Sequence, residues 1–350
     1  MNDPKRSEIS ELGEFGLIDR LTKNIKLKNK GSLVGVGDDA AVIDNRERLT
    51  LVSTDLLVEG IHFDISYTPL RHLGYKAAIV NFSDIYAMNG IPEQITVSLA
   101  ISNRFSLEAI EEIYEGIYLA CETYHVDLVG GDTSSSLSGL FISITVIGSA
   151  VEGEIIYRNT AKENDLICVS GDLGAAYMGL MVLEREKQVF KVNPDMQPDL
   201  EGMDYILERQ LKPEARQDIG KILKGIGVKP TAMIDISDGL ASDIRHICQG
   251  SKLGCQIFTE KLPVDAVTIR LAEEFQIDPY TVVMNGGEDY ELLFTITQGD
   301  YDKIKEIIGI SIIGHMTDES SGMNLLTKDG MSVALKAQGW DSLKNSGNSN

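Results

Sequence analysis

Apolar and polar positions along the chain fall into two successive α/β patterns. Between 14 and 24, Phe15, Ile18 and Leu21 recur at helical spacing. Residues 49–58 read as a strand running into a turn, and 70–88 predict a long helix with Pro69 in its first turn, where the missing N–H does no harm. A strand at 93–101, a helix at 106–124 capped by Ser106, a short buried strand at 126–129 and a strand at 140–150 follow. The polar stretch VEGEIIYRNTAKEND, 151–165, marks a boundary. Beyond it the pattern predicts strands at 166–169, 231–236, 290–297 and 311–315. Helices are expected at 173–186, 213–224, 240–249 and 301–308, with a polar segment holding two prolines at 188–200. The expected organisation is a mixed α/β fold: an N-terminal domain over 1–150, a C-terminal α/β domain over 151–343, and a flexible tail over 344–350.

The length of 350 residues exceeds what one core of roughly 100–200 residues needs. Hydrophobic residues at 43% and charged residues at 24% exclude a largely disordered or fibrous chain. No apolar run reaches the roughly 18 residues of a membrane span, and the start, MNDPKRSEISELGEFG, has no secretion-type apolar stretch. A cytoplasmic protein is therefore expected. Acidic residues outnumber basic ones 53 to 32, a net charge of −21, and no Lys/Arg cluster offers a footprint for nucleic acid or an anionic membrane. The acidity serves either solubility or divalent cations, and position decides between them. Cys121, Cys168, Cys248 and Cys255 form no CxxC pair, which argues against structural zinc.

Six turns rich in Gly and Ser carry aspartates or glutamates beside apolar runs: GVGDDAAVI (35–43), STDLLVEGIHF (53–63), NFSDIYAMNG (81–90), LVGGDTSSS (128–136), IDISDGLASD (234–243) and NGGEDYELLF (285–294). Any one of them is explained by an Asp capping nearby N–H groups; six in one acidic chain are harder to dismiss. Asp84 is the most informative. It shares a face with Leu73, Ala77 and Val80 on a helix apolar almost all round, so its carboxylate needs a hydrogen-bonding partner or a metal. No Lys or Arg lies within a turn of it, which favours the metal. Asp235 and Asp238 bracket a strand-to-helix turn; capping by Ser237 and the helix dipole account for Ser237 and Asp238 but not for Asp235. Oxygen-only ligands suit Mg²⁺ or Ca²⁺, and Mg²⁺ takes few carboxylates plus substrate phosphates. Several Mg²⁺ ions around a polyphosphate are the chemistry this set suggests.

No GxxxxGK[ST] loop, G-x-S-x-G elbow or kinase HRD/DFG occurs. Gly35-Val36-Gly37-Asp38-Asp39-Ala40 fails as a dinucleotide fingerprint, because two acids would face the pyrophosphate. Gly171-Asp172-Leu173-Gly174 reads as an ordinary βα turn, with phosphate contact the alternative, and His62 on its own reads as a loop or core histidine.

These motifs, in this order, resemble the thiamine-monophosphate kinases, in the superfamily of aminoimidazole ribonucleotide synthetase, selenophosphate synthetase and the hydrogenase-maturation dehydratase. The resemblance runs from GEFGLIDRL at Gly13 to Gly339-Trp340. It implies an N-terminal domain that binds ATP and Mg²⁺ and contributes strands to a barrel shared across a homodimer, and a C-terminal domain with a mixed sheet and flanking helices. The implied reaction passes the ATP γ-phosphoryl group to thiamine monophosphate, the last step of thiamine diphosphate synthesis. The implied Mg²⁺ ligands are Asp39, Thr54, Asp55, Asp84, Asp132, Asp235 and Asp238, with Ser53 close to the same ions and Asp38 orienting its neighbour. Gly131, Asp132, Arg158 and Ser237 would contact ATP, and Tyr114 its base. His62, Glu288 and Trp340 would hold thiamine monophosphate. A role for K⁺ stays open. The acceptor is already a phosphate oxygen, so no catalytic base is required, and metal-assisted positioning does the work. Trp340 could cover a cationic ring or serve as a packing anchor.

Two other readings compete. A selenophosphate-type enzyme would carry a reactive cysteine near its start and a hydrogenase-maturation protein one at its end, whereas the first cysteine here is Cys121 and the last residue Asn350. A non-enzymatic Ca²⁺- or Mg²⁺-binding protein lacks an EF-hand loop to support it.

Overall fold

Strands whose side chains alternate between core and surface build the main sheet of the first half of the chain. The computed structural model describes residues 17, 20–34, 42–44 and 48–335. They divide into one compact unit drawn from residues up to Ile85 with Gly90–Glu154, and another from Tyr86–Asn89 with the residues from Ile155 onward. Asp38, Asp39 and Trp340 lie outside the described residues, as does the whole tail expected over 344–350; of the helix expected at 14–24, residue 17 and residues 20–22 are helical.

In the first unit a short antiparallel pair, β1 (Ser32–Val34) and β2 (Val42–Ile43), precedes β3 (Leu49–Val58), α1 (Leu70–Ala87), β4 (Ile91–Ile101), α2 (Leu107–Tyr124), β5 (Asp127–Ser135) and β6 (Leu140–Ala150). The main sheet has the order β3-β6-β4-β5. β6 runs antiparallel to both neighbours, and β5 lies parallel to β4 after the α2 crossover. Leu140, Ile142, Ile144 and Val146 are buried while their neighbours in β6 are half open, so one sheet face is core and the other is not. The open face carries Val52 (65% exposed) and Leu56 (52%) together with Thr54, Thr145 and Phe141.

Helix α1 is fully buried at Leu73, Ala77, Ala78 and Ile79, as an all-round apolar helix must be. It approaches α2 at two glycines: a Cβ on Gly74 would stand 1.9 Å from the Ile113 carbonyl oxygen, and one on Gly116 1.9 Å from that of Arg71. Ser106 caps α2 as the sequence predicts, its hydroxyl accepting the Ala109 N–H.

The second unit contains β7 (Leu166–Ser170), α3 (Ala175–Val192), α4 (Asp204–Leu211), α5 (Gln217–Gly225), β8 (Ala232–Asp235), α6 (Leu240–Ser251), β9 (Leu253–Phe258), α7 (Ala266–Glu274), α8 (Pro279–Asn285), β10 (Leu292–Ile296), α9 (Tyr301–Ile304), β11 (Ile310–Asp318), β12 (Met323–Leu326) and β13 (Ser332–Ala334). Its sheet has the order β13-β12-β9-β11-β7-β10-β8, parallel at β9/β12 and antiparallel elsewhere. The central strands feed two cores. Ile167, Val169 and Leu293 join α6, while Cys168, Leu292, Phe294 and Ile296 join α5. That double burial is why LICVS and LLFTI read as continuous apolar runs. The mixed α/β class expected from the sequence holds.

Candidate active site

The alternation of β3 turns Ser53 and Asp55 to the side of α1, where Asp84 sits in the last turn. The Ser53 hydroxyl donates to Asp84 Oδ2 at 2.5 Å. The Asp55 N–H donates to Asn81 Oδ1 at 3.1 Å, and the Asn81 amide in turn donates to the Ala77 carbonyl at 3.0 Å. One helical turn of α1 thus pins the strand and presents a carboxylate beside it. Burial, together with the charge of Asp84, pushes Asp55 up to about 6; burial also raises Asp84, against the opposing hydrogen bond from Ser53. Asp55 Oδ2 is buried with no hydrogen-bond partner. Two neighbouring carboxylates, one with an orphaned oxygen and neither offset by a described cationic side chain, fit a divalent cation.

Thr54 points the other way. Its hydroxyl donates to the Ile144 carbonyl at 3.1 Å and accepts from Thr145 at 3.0 Å, so its side chain is not part of the carboxylate pair. Asp132 and Gly131 are exposed on β5. A Cβ on Gly131 would stand 1.9 Å from the Val97 carbonyl oxygen, so sheet packing alone requires that glycine. Tyr114, expected at the base of ATP, lies on α2. The spacing of α2 puts it in the core, 6% exposed, with its ring 6.0 Å from that of Tyr118 and its hydroxyl pKa raised by burial. The ring of His62 closes a turn, Nδ1 accepting the Val58 N–H at 3.0 Å, which leaves Nε2 as the protonated nitrogen of the neutral ring.

In the second unit, β8 ends at Asp235, 6% exposed. The loop after it is zipped to the loop before β10. Ile236 N–H donates to the Glu291 carbonyl, Tyr290 N–H to that of Ile236, and Glu288 N–H to that of Ser237, at 2.8–2.9 Å. Glycine is required where the loops touch: a Cβ on Gly287 would lie 2.4 Å from the Ser237 carbonyl oxygen. Gly239, at φ 100°, is the N-cap of α6 and no side chain caps that helix. The capping role expected of Ser237 is therefore not observed, and Asp238 lies ahead of the helix rather than in its first turn. The loop is wound so that only a residue tolerant of this φ can begin α6. Asp238 N–H donates instead to Asp243 Oδ2 at 3.3 Å. Asp243 is 2% exposed and is pushed up to about 8 by burial and by Asp235 and Asp238.

Glu288 accepts from Gln210 Nε2 at 2.8 Å. Arg158 is exposed, close enough to His246 to lower its pKa beyond the effect of burial. At the Gly171–Gly174 turn the N-terminus of α3 already meets a carboxyl group of the protein: the Gly174 N–H donates to Asp289 Oδ2 at 2.8 Å. Among the described residues no group of three or more His, Cys, Asp and Glu side chains is arranged to hold a metal ion. The carboxylates form two sets, Asp55/Asp84 in the first unit and Asp235/Asp238/Asp243 in the second.

Sequence reasoning missed Asn81, Asp243 and a buried ionic knot. In that knot Glu291, 2% exposed, pairs with Arg209 at 2.9 Å and with Arg216, and accepts from the Ser170 hydroxyl. Asn81 was within the NFSD turn already noted. Asp243 closes the IDISDGLASD motif without a role of its own there, and nothing in the local pattern marks Arg209 or Arg216.

Residues 37–150 match the family described as AIR synthase related protein, N-terminal domain. The chain is 32% identical over 339 residues to the thiamine-monophosphate kinase of Bacillus subtilis (strain 168), covering 95% of this chain and 100% of that one. It is 36% identical over 323 residues to that of Buchnera aphidicola subsp. Schizaphis graminum, covering 90% and 94%. Among solved structures, thiamine-monophosphate kinase from Stenotrophomonas maltophilia K279a superposes with a TM-score of 0.76 at 30% identity, covering 92% and 98%. AaThiL complexed with AMPPCP and TMP gives 0.72 at 32%, covering 97% and 99%. The E. coli hydrogenase maturation protein HypE gives 0.72 at 18% identity, a likeness of fold alone. On this full-length similarity the chain belongs to the thiamine-monophosphate kinase family.

Proposed function

We propose that the protein transfers the γ-phosphoryl group of ATP to thiamine monophosphate, giving thiamine diphosphate and ADP. The observation that carries this is the match, over nearly all of both chains, to kinases of which one solved relative holds AMPPCP and TMP together. Asp39, Ser53, Thr54, Asp55, Asp84, Asp132, Asp235 and Asp238 are the proposed Mg²⁺-binding residues, with Thr54 contributing through its main chain. The orphaned oxygen of Asp55 supports that role. Bound there, Mg²⁺ would neutralise phosphate charge in a transfer between two anions. Gly131, Asp132, Arg158 and Ser237 are proposed to contact ATP, Arg158 as the cation, and Tyr114 to lie at its base. His62, Glu288 and Trp340 are proposed to hold thiamine monophosphate, Glu288 opposite the positive ring. None of these residues needs to accept the substrate proton, because the attacking phosphate oxygen is already ionised at neutral pH.

The first unit is proposed to carry the nucleotide and the dimer contact. Its open sheet face, with Val52 and Leu56 exposed between hydroxyl-bearing neighbours, fits a second copy of the chain that completes a barrel. A cytoplasmic location agrees with the proposed substrates, and no helix among the described residues is long and apolar enough to cross a membrane.

The test mixes protein, MgCl₂, ATP and thiamine monophosphate. Thiamine diphosphate and ADP should appear one to one, and omitting the acceptor should leave ATP almost intact. Asp84→Asn and Asp238→Asn should each abolish turnover in folded protein. No product from the unaltered chain, or near-normal rates in both variants, overturns the assignment.

A further inference from the structure

Helix α4 touches neither carboxylate set, yet two of its polar side chains turn inward. Gln210 is 5% exposed and donates from Nε2 to Glu288 Oε2 at 2.8 Å. Its neighbour Arg209 donates through Nη2 to the main-chain oxygens of Asp172 at 3.1 Å and Asp289 at 3.3 Å, and through Nη1 to Glu291 at 2.9 Å. One short helix therefore grips the side chain of residue 288, the carbonyl of 289 and the carboxylate of 291. The other side of the same loop is tied to Ile236 and Ser237 by the main-chain bonds of Tyr290 and Glu288. Between these two anchors Glu288 and Tyr290 hold left-handed φ values of 68° and 52°. Non-glycine residues keep such conformations only where their surroundings over-determine them, and those places cluster at ligand clamps.

We propose that Gln210 is a positioning residue for thiamine monophosphate, acting through Glu288. The proposal rests on the kinase reading above and deepens it. A glutamate has three rotatable side-chain bonds, and a ligand that needs it in one orientation must immobilise them on binding. The amide of Gln210 fixes one carboxylate oxygen beforehand. An amide is also the suitable group chemically. A Lys or Arg in its place would neutralise Glu288 and cancel its attraction for a cationic ring, whereas a neutral donor orients the carboxylate and leaves its charge in place.

The test is steady-state kinetics of Gln210→Leu and Gln210→Met, with ATP and thiamine monophosphate varied separately. KM for thiamine monophosphate should rise about tenfold, the scale of one lost hydrogen bond to a charged group. KM for ATP and kcat should stay within about twofold. In a Glu288→Gln background the Gln210→Leu change should add almost nothing, because the two residues act as one. Unchanged KM for thiamine monophosphate in either folded variant overturns the proposal, as does a full additional loss in the Glu288→Gln background. Failure of the underlying kinase reading looks different: the unaltered chain then makes no thiamine diphosphate at all.

Discussion

Ser53 and Asp84 meet across β3 and α1 through a hydrogen bond in which the hydroxyl is the donor, while Asp55, two residues along the same strand, leaves a buried carboxylate oxygen without one. The hydroxyl relieves part of the charge on Asp84 and none of that on Asp55.

Asp55→Asn follows from that imbalance. At pH 7 the Asp55 carboxyl is ionised although burial and Asp84 push it up to about 6 from 3.8. Holding that charge costs on the order of 2–3 kcal/mol without a cation. The metal-free Asn variant should melt several degrees higher than the unaltered protein. It should also lose both the Mg²⁺-induced rise in melting temperature and turnover. A lower melting temperature with an intact Mg²⁺ response would show that the pair is not a cation seat.

Asp289 sets a pH dependence of stability. Burial pushes it up to about 7 from 3.8, against the pull of Arg209 and the Gly174 N–H. Between those values the folded protein holds a proton that the unfolded chain has released, so this contribution is fully present below about 3.8 and lost by about 7. Denaturation at fixed pH should show stability falling by up to ~1.4 kcal/mol per unit from pH 4 to 7 on account of this group. Asp289→Asn should flatten that slope; an unchanged slope would refute the account.

Glu291 is the common partner of two arginines in a nearly closed site. Glu291→Gln keeps the shape but leaves Arg209 and Arg216 without their buried counter-charge. A loss of about 3–5 kcal/mol in urea denaturation is expected, the usual cost of breaking a buried pair from one side. A change below 1 kcal/mol would mean that the bonds Arg216 already makes to Asp218, and Arg209 to main-chain oxygens, hold the arginines without Glu291.

Val52→Lys and Leu56→Lys place charges on the open face of the first sheet. By light scattering the unaltered protein should have twice the chain mass and the double variant the mass of one chain. The secondary structure of the variant should be unchanged, since neither side chain faces the core. A monomeric unaltered protein, or a variant that stays dimeric, rules out this face as the contact.

Local signals were strong enough to place α1 and α2, because a buried helix and a capped amphipathic one advertise themselves through apolar spacing and through Ser106. They were too weak for α4. DYILERQL looks like a solvated helix or a loop, and only the fold turns Arg209 and Gln210 inward toward acids about 80 residues away in sequence. Helix α3 runs to Val192, past the expected 186, with Gln188, Phe190, Lys191 and Val192 exposed on its last turns ahead of Pro194. Strand β9 was hidden in LGCQIF, whose apolar residues suit either strand or helix. In the site, strand alternation puts Ser53 and Asp55 on one face of β3, although their roles entered only through the family resemblance. The same rule should have set Thr54 apart as a side chain. The cap at 239 was not legible, because Ser237 is the better-known capping residue and only the φ of 100° shows that a glycine was needed.

Strand β3 presents acid and hydroxyl groups to α1 on one side and Val52, Thr54 and Leu56 to the outside on the other. Its residues pair one to one with β6 from Leu49↔Ala150 to Val58↔Phe141 without a bulge. Inserting or deleting a residue there would exchange the two sides outright, placing leucine and valine where ions are proposed to sit and carboxylates on the proposed contact with the second chain. Point substitutions can retune either side of this strand by itself, but its length is a shared property that neither side can alter alone.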